Sequence, residues 1–333
     1  MKRLRIKGIR AEMKLASNLF TNPELKATRA GFGEGMTALG EADENIVALC
    51  ADLSGSLKLG DFISKWPDRF FQSGVAEQNM VNMAVGLALS GKIPFATSFG
   101  VFMPMRTLDQ IRISVCYNNA NVKLAASHTG ISVGPDGATH QALEDIAVMR
   151  VLPKMKVIVP ADANETKKAT ISAAKISGPV YLRFGRQNAP VYTTEDTPFE
   201  IGKINRLRDG KDVAIVACGV MVYESLLAAE ELSKNGIEAS VLNCHTIKPI
   251  DAETLIEVAK ECGAVVTAEE HQKIGGMGSA VAEVLVESEN VPMELIGIED
   301  RFGESGESGE LMEKYGLTSA NIVKSVRKIL KRK

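Results

Sequence analysis

Glu77 belongs to Gly74-Val75-Ala76-Glu77-Gln78-Asn79-Met80, a segment that follows a predicted strand and opens a helical run. At helical spacing Glu77 shares a face with Met80, Val81, Ala84, Leu87 and Ala88, which sets a carboxylate on the apolar stripe at the helix start. Burial favours the neutral acid and a helix N-terminus favours the anion, so a carboxyl in such a place is suited to sharing a proton with a heteroaromatic nitrogen. The alternative is a first-turn Glu that stabilises the helix dipole and touches water.

A second cluster is Ser127-His128 followed by GPDGATHQ, Gly134 to Gln141. Two of the four histidines, His128 and His140, bracket a glycine-rich turn that holds Asp136. Such turns place side chains and backbone donors at the end of a sheet strand, where α/β proteins bind ligands. Read structurally instead, Asp136 is a turn residue and His140 a helix-start residue capped by Thr139. Arg29, Ser56 (after ADLSG) and Arg186 (after VYLRF) stand near predicted strand or helix ends, and the guanidinium fork matches the oxygens of a phosphate monoester. Taken singly, such a residue more often belongs to a surface ion pair. Phe99 and Phe102 follow the strand PFATS, where a ring can stack on a flat cofactor or fill the core.

Other features are discounted. GGMGS, Gly275 to Ser279, has the setting of a dinucleotide loop without GxGxxG spacing, so tight helix packing is the expectation. GESGESGE reads as a mobile turn, and His245 and His271 read as structural.

The elements that must position these residues follow from hydrophobic period. From about Thr28 to Arg183, apolar runs (IVALC, PFATS, NVKLAAS, MKVIVP, VYLRF) alternate with helical segments, among them AEQNMVNMAVGLAL, RTLDQIRISV, HQALEDIAVM and ANETKKATISAA. This alternation predicts a mostly parallel sheet covered on both faces. After a break at QNAPVYTTEDTPFEIGK, a second alternation runs from DVAIVACG to MELIGI, with Asp251 as an N-cap and Gly236 as a helix stop. The predicted architecture is α/β in two domains, residues 1–188 and 204–333, joined by a linker at 189–203.

With 333 residues, 45% hydrophobic and 24% charged, the chain is long enough for two cores and unlike a disordered polymer. Its 39 basic and 41 acidic residues leave a net charge of −2, which gives no general attraction for nucleic acid or an anionic membrane. The basic ends, including Lys2, Arg3, Arg5, Lys7 and Arg10 at one and Lys324 to Lys333 at the other, read as solvated segments. Cys50, Cys116, Cys218, Cys244 and Cys262 lack metal-ligand spacing and predict reduced, buried thiols. With no apolar run of membrane-spanning length and no signal-peptide core, the cytoplasm is the expected compartment.

Taken together, ATR (Ala27 to Arg29), CADLSGS, GVAEQNM, TSFGVF, SHTGISVGPDGATHQ and GRQN resemble, in family order, the C-terminal half of a transketolase. AEEHQKIGGMGSAVAEVL is similar to the C-terminal domain shared by transketolases, deoxyxylulose-phosphate synthases and the beta subunits of 2-oxo acid dehydrogenases. The resemblance implies a first domain that binds the aminopyrimidine of thiamine diphosphate. Glu77 then hydrogen-bonds the pyrimidine nitrogen, Phe102 with Phe99 nearby stacks on the ring, and Asp52 lies near the thiazolium at a subunit interface. It also implies that Arg29, Ser56, His128 and Arg186 hold the sugar phosphate. Asp136 reads a substrate hydroxyl, and His140 lies near the reacting carbonyl oxygen. FMPMRTLDQIR has one residue more after Phe102 than animal-type transketolases, which makes the stacking ring a looser assignment than Glu77.

The Gly-Asp-Gly motif and downstream Asn that bind diphosphate through a divalent cation are not matched, since GPDG and RDGKD differ in form and place. The implied protein is therefore the C-terminal subunit of a split transketolase, active with an N-terminal partner that carries Mg2+ or a similar cation. A two-plus-two heterotetramer with a homodimer contact, and sugar phosphate substrates, complete the expectation. A dehydrogenase beta subunit, which handles unphosphorylated acids, and a synthase-like enzyme are the rival enzyme readings. A regulatory subunit that kept the fold and lost the chemistry is the non-enzyme rival, and an unpaired buried acid at Glu77 argues against it.

Overall fold

The computed structural model describes residues 8–333; Lys2, Arg3, Arg5 and Lys7 lie outside them. The first half contains β1 (Glu24–Ala27), α1 (Thr28–Ala42), β2 (Ile46–Cys50), α2 (Gly60–Lys65), β3 (Phe70–Gln72), α3 (Glu77–Leu89) and β4 (Ile93–Phe99). It continues with α4 (Met103–Gln110), β5 (Lys123–Ser127), α5 (Asp145–Arg150), β6 (Lys156–Ile158), α6 (Ala163–Ala174), β7 (Val180–Arg183) and β8 (Asn188–Val191). The second half contains β9 (Asn205–Arg208), β10 (Val213–Ala217), α7 (Met221–Lys234), β11 (Ala239–Asn243), β12 (Thr246–Lys248), α8 (Ala252–Cys262) and β13 (Val265–Gln272). It ends with α9 (Met277–Val286), β14 (Met293–Ile298), α10 (Ser308–Lys314) and α11 (Ser319–Ile329).

Seven strands form one sheet in the order β12-β6-β7-β5-β4-β2-β3, and five form another in the order β14-β13-β10-β11-β9. Each is parallel except for one edge strand, β12 against β6 and β9 against β11. The expected α/β architecture is therefore present, and its physical basis is visible in β2, β5, β7, β10 and β11, whose residues are all buried.

Apolar packing covers both faces of each sheet. Phe32, Phe62 and Phe95 lie in a core with α1 and α6 on one side of the first sheet, and a second core runs continuously from Val81 and Val122 to Val216 and Val281. α1 and α6 approach closely because Gly31 has no side chain; a Cβ there would stand 1.9 Å from the Ala163 carbonyl oxygen. α6 is fixed at its start as well, where Asp162 caps it through the Glu165 N–H.

Three local differences from the sequence reading have physical causes. The helix expected over HQALEDIAVM starts only at Asp145, because Gly130 donates its N–H to the Ala142 carbonyl and holds that stretch as a loop. The stretch expected as a linker begins with β8, which pairs antiparallel with β1. GESGESGE, expected as a mobile turn, packs on the GPDG turn, with the Gln141 amide donating to the Glu304 carbonyl at 2.9 Å.

After α4 the helix continues as a π-helical segment, Ile111–Tyr117. All five cysteines are buried and unpaired, as their sequence context predicts. Among the described residues no helix is long and apolar enough to cross a membrane. α11 turns Ile322, Val323, Val326 and Ile329 inward, while Lys328 and Arg332 pair with Glu294.

Candidate active site

The C-terminal ends of five neighbouring strands converge on one edge of the first sheet. In spatial order, β7 leads to Arg186, β5 to His128, β4 to Phe99 and Phe102, β2 to Asp52 and Ser56, and β3 to Glu77. This is the edge at which open parallel sheets bind ligands, because loops diverge there and helix N-termini face outward.

Glu77 is the first residue of α3 and only 5% exposed. Its carboxylate is not unpaired, contrary to the sequence expectation, because Arg106 Nη1 donates to Oε1 at 2.9 Å. A buried carboxylate without a partner costs several kcal/mol, and Arg106 offsets that cost while remaining half exposed itself. The same guanidinium carbon lies 4.1 Å from the centroid of the Phe102 ring. Arg106 escaped the sequence reading; its signal is a cation four residues beyond Phe102 at the start of a helix, the spacing at which two side chains share one face.

Next to this pair stands an aromatic wall. Phe102 and Phe99 are 5.7 Å apart at 21°, and Phe99 and His128 are 3.7 Å apart at 18°. His140 meets Phe102 edge-on at 5.2 Å. His128 adopts φ +55°, a left-handed conformation that a non-glycine residue takes at a cost, and Ser127 Oγ lies 2.9 Å from its Nδ1. Burial, followed by the charges of Arg29 and Arg186, pushes the His128 pKa down to about 3. A neutral imidazole results, able to offer one donor and one acceptor. His140 is held in turn by Thr139, with Oγ1 2.9 Å from Nδ1.

On the far side of His128 lie two cations. Arg29, the second residue of α1, donates from Nη1 to the Ser56 carbonyl at 2.9 Å, and its Nε is buried without a partner. Burial first, and Arg186 second, lower the Arg29 pKa, which shows that the two guanidinium groups feel each other. Arg186 Nη1 donates to the Val133 carbonyl at 2.9 Å and to Asp136 at 3.3 Å. The Ser56 carbonyl thus helps to hold Arg29 in place.

A chain of contacts and charge interactions therefore joins Glu77 to Phe102, Phe99, His128, His140, Arg29, Ser56, Arg186 and Asp136. Asp52 stays outside that chain: it is exposed, has φ +61°, and its N–H donates to Gln72 Oε1 at 2.7 Å. A flat heterocycle with a basic nitrogen needs a carboxyl group and a ring wall, and Glu77 with Phe99 and Phe102 fits such a group. An anionic chain end needs convergent donors, and Arg29 and Arg186 fit that need. Among the described residues no three His, Cys, Asp or Glu side chains form a metal cluster.

Beneath the site lies a buried network that sequence reasoning did not find, because its members are far apart in the chain. Arg183 Nε and Tyr181 Oη donate to Asp145 Oδ2 at 2.8 and 2.7 Å. Arg183 Nη2 also donates to the carbonyls of Ala142 and Glu270, and the Ser132 N–H donates to the Glu270 carboxylate. The loop from His128 to Ala142 is thereby fixed to the second half. GGMGS is also explained: Glu269 accepts from the Met277 and Gly278 N–H groups, and a Cβ on Gly276 would stand 2.3 Å from that carboxylate.

Residues 24–191 match the family model described as transketolase, pyrimidine binding domain, and residues 202–322 match that described as transketolase, C-terminal domain. The chain is 47% identical over 310 residues to a putative transketolase C-terminal section of Methanocaldococcus jannaschii, covering 92% of this chain and 97% of that protein. It is 45% identical over 293 residues to a 6-deoxy-6-sulfo-D-fructose transketolase subunit of Clostridium sp. strain MSTE9, covering 88% and 91%. A solved structure described as a split gene transketolase, inactive beta4 tetramer, superposes with a TM-score of 0.86 at 50% identity, covering 92% of this chain and 98% of that one.

Proposed function

The chain belongs to the transketolase family, and from that premise we propose that it is the C-terminal subunit of a two-chain, thiamine diphosphate-dependent enzyme that transfers a two-carbon ketol unit between sugars. The observation that carries the proposal is the placement of buried Glu77, the Phe99–Phe102 wall and the Arg29–Arg186 pair along one sheet edge. When bound, thiamine diphosphate supplies the carbon that accepts and releases the two-carbon unit.

Each residue has a role that its surroundings support. Glu77 binds the pyrimidine nitrogen and holds a shared proton there. Phe102 and Phe99 form the wall for the ring. His140, steadied by Thr139, stands by the reacting carbonyl oxygen. Neutral His128, Arg29, the Ser56 hydroxyl and Arg186 receive the anionic end of the sugar, and Asp136 reads a hydroxyl. Asp52, outside the contact chain, is assigned to the thiazolium side of the subunit boundary.

The diphosphate and its Mg2+ or similar cation belong to an N-terminal partner in this proposal. The acids of both Asp-Gly segments here, GPDG and RDGKD, have other duties: Asp136 pairs with Arg186, Asp209 pairs with Arg206, and Asp212 accepts the Glu238 N–H. Val75, Met105 and Leu108, exposed by 72%, 39% and 38%, border Glu77 and Arg106 and offer apolar surface to that partner. A heterotetramer containing a homodimer contact is the proposed assembly, and the beta4 tetramer of the similar solved chain shows that a relative self-associates. The cytoplasm is the proposed compartment, supported by the five unpaired thiols.

The substrates proposed are a ketose phosphate donor and an aldose phosphate acceptor. A sulfonate presents the same oxygen fork as a phosphate, and one relative is named for a sulfo-sugar, so both belong in the test. Ketol transfer is measured with thiamine diphosphate and magnesium, for this chain alone and with a candidate N-terminal subunit. Activity only in the mixture supports the proposal. Decarboxylation of a 2-oxo acid by the mixture, with no ketol transfer, overturns it and removes the anion-binding role of Arg29, His128 and Arg186.

A further inference from the structure

We propose that Arg106 is the positioning residue of Glu77: it fixes one carboxylate oxygen and leaves the other to meet the pyrimidine nitrogen. The inference rests on the pyrimidine-site reading above and adds to it a residue that the comparisons do not assign.

The geometry is one-sided. Arg106 reaches Glu77 through a single bond, Nη1 to Oε1 at 2.9 Å, where the fork of an arginine ordinarily allows two. No other side-chain hydrogen bond to Glu77 occurs among the described residues, so Oε2 is the oxygen left for a ligand. The guanidinium is kept from swinging into a two-pronged arrangement by its seat over Phe102, 4.1 Å from the ring centroid. Its position four residues beyond Phe102 makes that seat a local property of the helix start.

The arrangement couples two requirements of the proposed site. The ring that would form the wall also braces the cation, and the cation sets the rotation of the carboxylate. A carboxylate free to rotate at the base of a pocket presents either oxygen in many directions, whereas one pinned at Oε1 presents Oε2 in one. Arg106 does not itself touch the reacting atoms; its effect runs through Glu77.

The test uses the assembled two-chain enzyme with thiamine diphosphate and magnesium, comparing the parent with R106Q, R106K and E77Q. Cofactor affinity is read by calorimetric titration, and kcat and KM for the sugar are read separately. R106Q is expected to weaken cofactor binding by about tenfold and kcat by up to about 10²-fold, with KM for the sugar unchanged, and R106K to recover most of both. In the chain alone, E77Q and R106Q are expected each to lower Tm, and the double variant to lower it by less than the sum. An R106Q enzyme with parental cofactor affinity and kcat, beside an E77Q enzyme that has lost both, overturns the role of Arg106 and leaves the site reading standing. An E77Q enzyme that keeps both overturns the site reading itself.

Discussion

Replacing Asp145 with Asn removes a counter-charge and changes almost no volume, so it isolates what the buried ion pair beneath the site contributes. Asp145 is fully buried and Arg183 is 3% exposed, and the two meet at 2.8 Å. Breaking such a pair from one side costs roughly 3–5 kcal/mol, because a charge is left in the interior without compensation. The lower end applies here, since the charge of Glu270 also reaches Arg183 and two carbonyls accept from its Nη2. We therefore expect D145N to lose about 3 kcal/mol in urea denaturation of the whole chain. Y181F removes only the 2.7 Å hydroxyl bond to the same oxygen and is expected to cost about 1 kcal/mol. D145N should also speed amide exchange at Gly130 and Ser132, which lie in the loop that the network holds. A D145N loss no larger than that of Y181F would refute the reasoning, because hydrogen-bond count and not charge would then set the cost.

The stability contributed by two buried histidines should fall on acidification, whereas buried Glu165, pushed up to about 7 by burial and by the charge of Asp162, contributes in the opposite sense above pH 4.5. Burial pushes the folded pKa values of His128 and His245 down to about 3, against an ordinary 6.5, so the unfolded chain takes up protons first. The histidine contribution is full above pH 6.5 and declines as pH drops toward 3, by up to about 1.4 kcal/mol per pH unit for each group, and H245Q should flatten that part of the profile measured by urea midpoints. R186A is expected to raise KM for phosphorylated sugars by on the order of 10–100-fold with a smaller effect on kcat, as steady-state kinetics of the assembled enzyme would reveal. G31A should cost about 1–3 kcal/mol, since α1 and α6 must separate to admit the methyl group, and a parental denaturation midpoint would contradict the close approach.

Much of the fold was legible because of burial on both faces. Strands such as Ile46–Cys50 and Val213–Ala217 are uniformly apolar, and that pattern survives in the sequence without knowledge of neighbours. The short edge strand Thr246–Lys248 carries no such pattern, since its pairing partner Lys156–Ile158 lies far along the chain and defines it. At the candidate site, Glu77, the two phenylalanines, the histidines and the arginines were legible singly from element ends, and the transketolase resemblance of their motifs implied that they belong together. The pairing of Glu77 was not, because Arg106 lies 29 residues away and reads as an ordinary surface cation. Asp145 and Arg183 were illegible for the same reason, being 38 residues apart and meeting only in the folded interior.

The crossing of β12 into the first sheet has a consequence for dissection of the molecule. Thr246–Lys248 comes from the second half, yet it pairs with Lys156–Ile158 and closes one edge of the seven-stranded sheet. A fragment cut near residue 200 would therefore expose the edge of β6, with its row of unpaired N–H and C=O groups, as a template for intermolecular pairing. The two halves resemble separate modules in sequence, but they behave as a clasped pair. Recombining either with a foreign counterpart would require the donor to bring a strand that fits this slot.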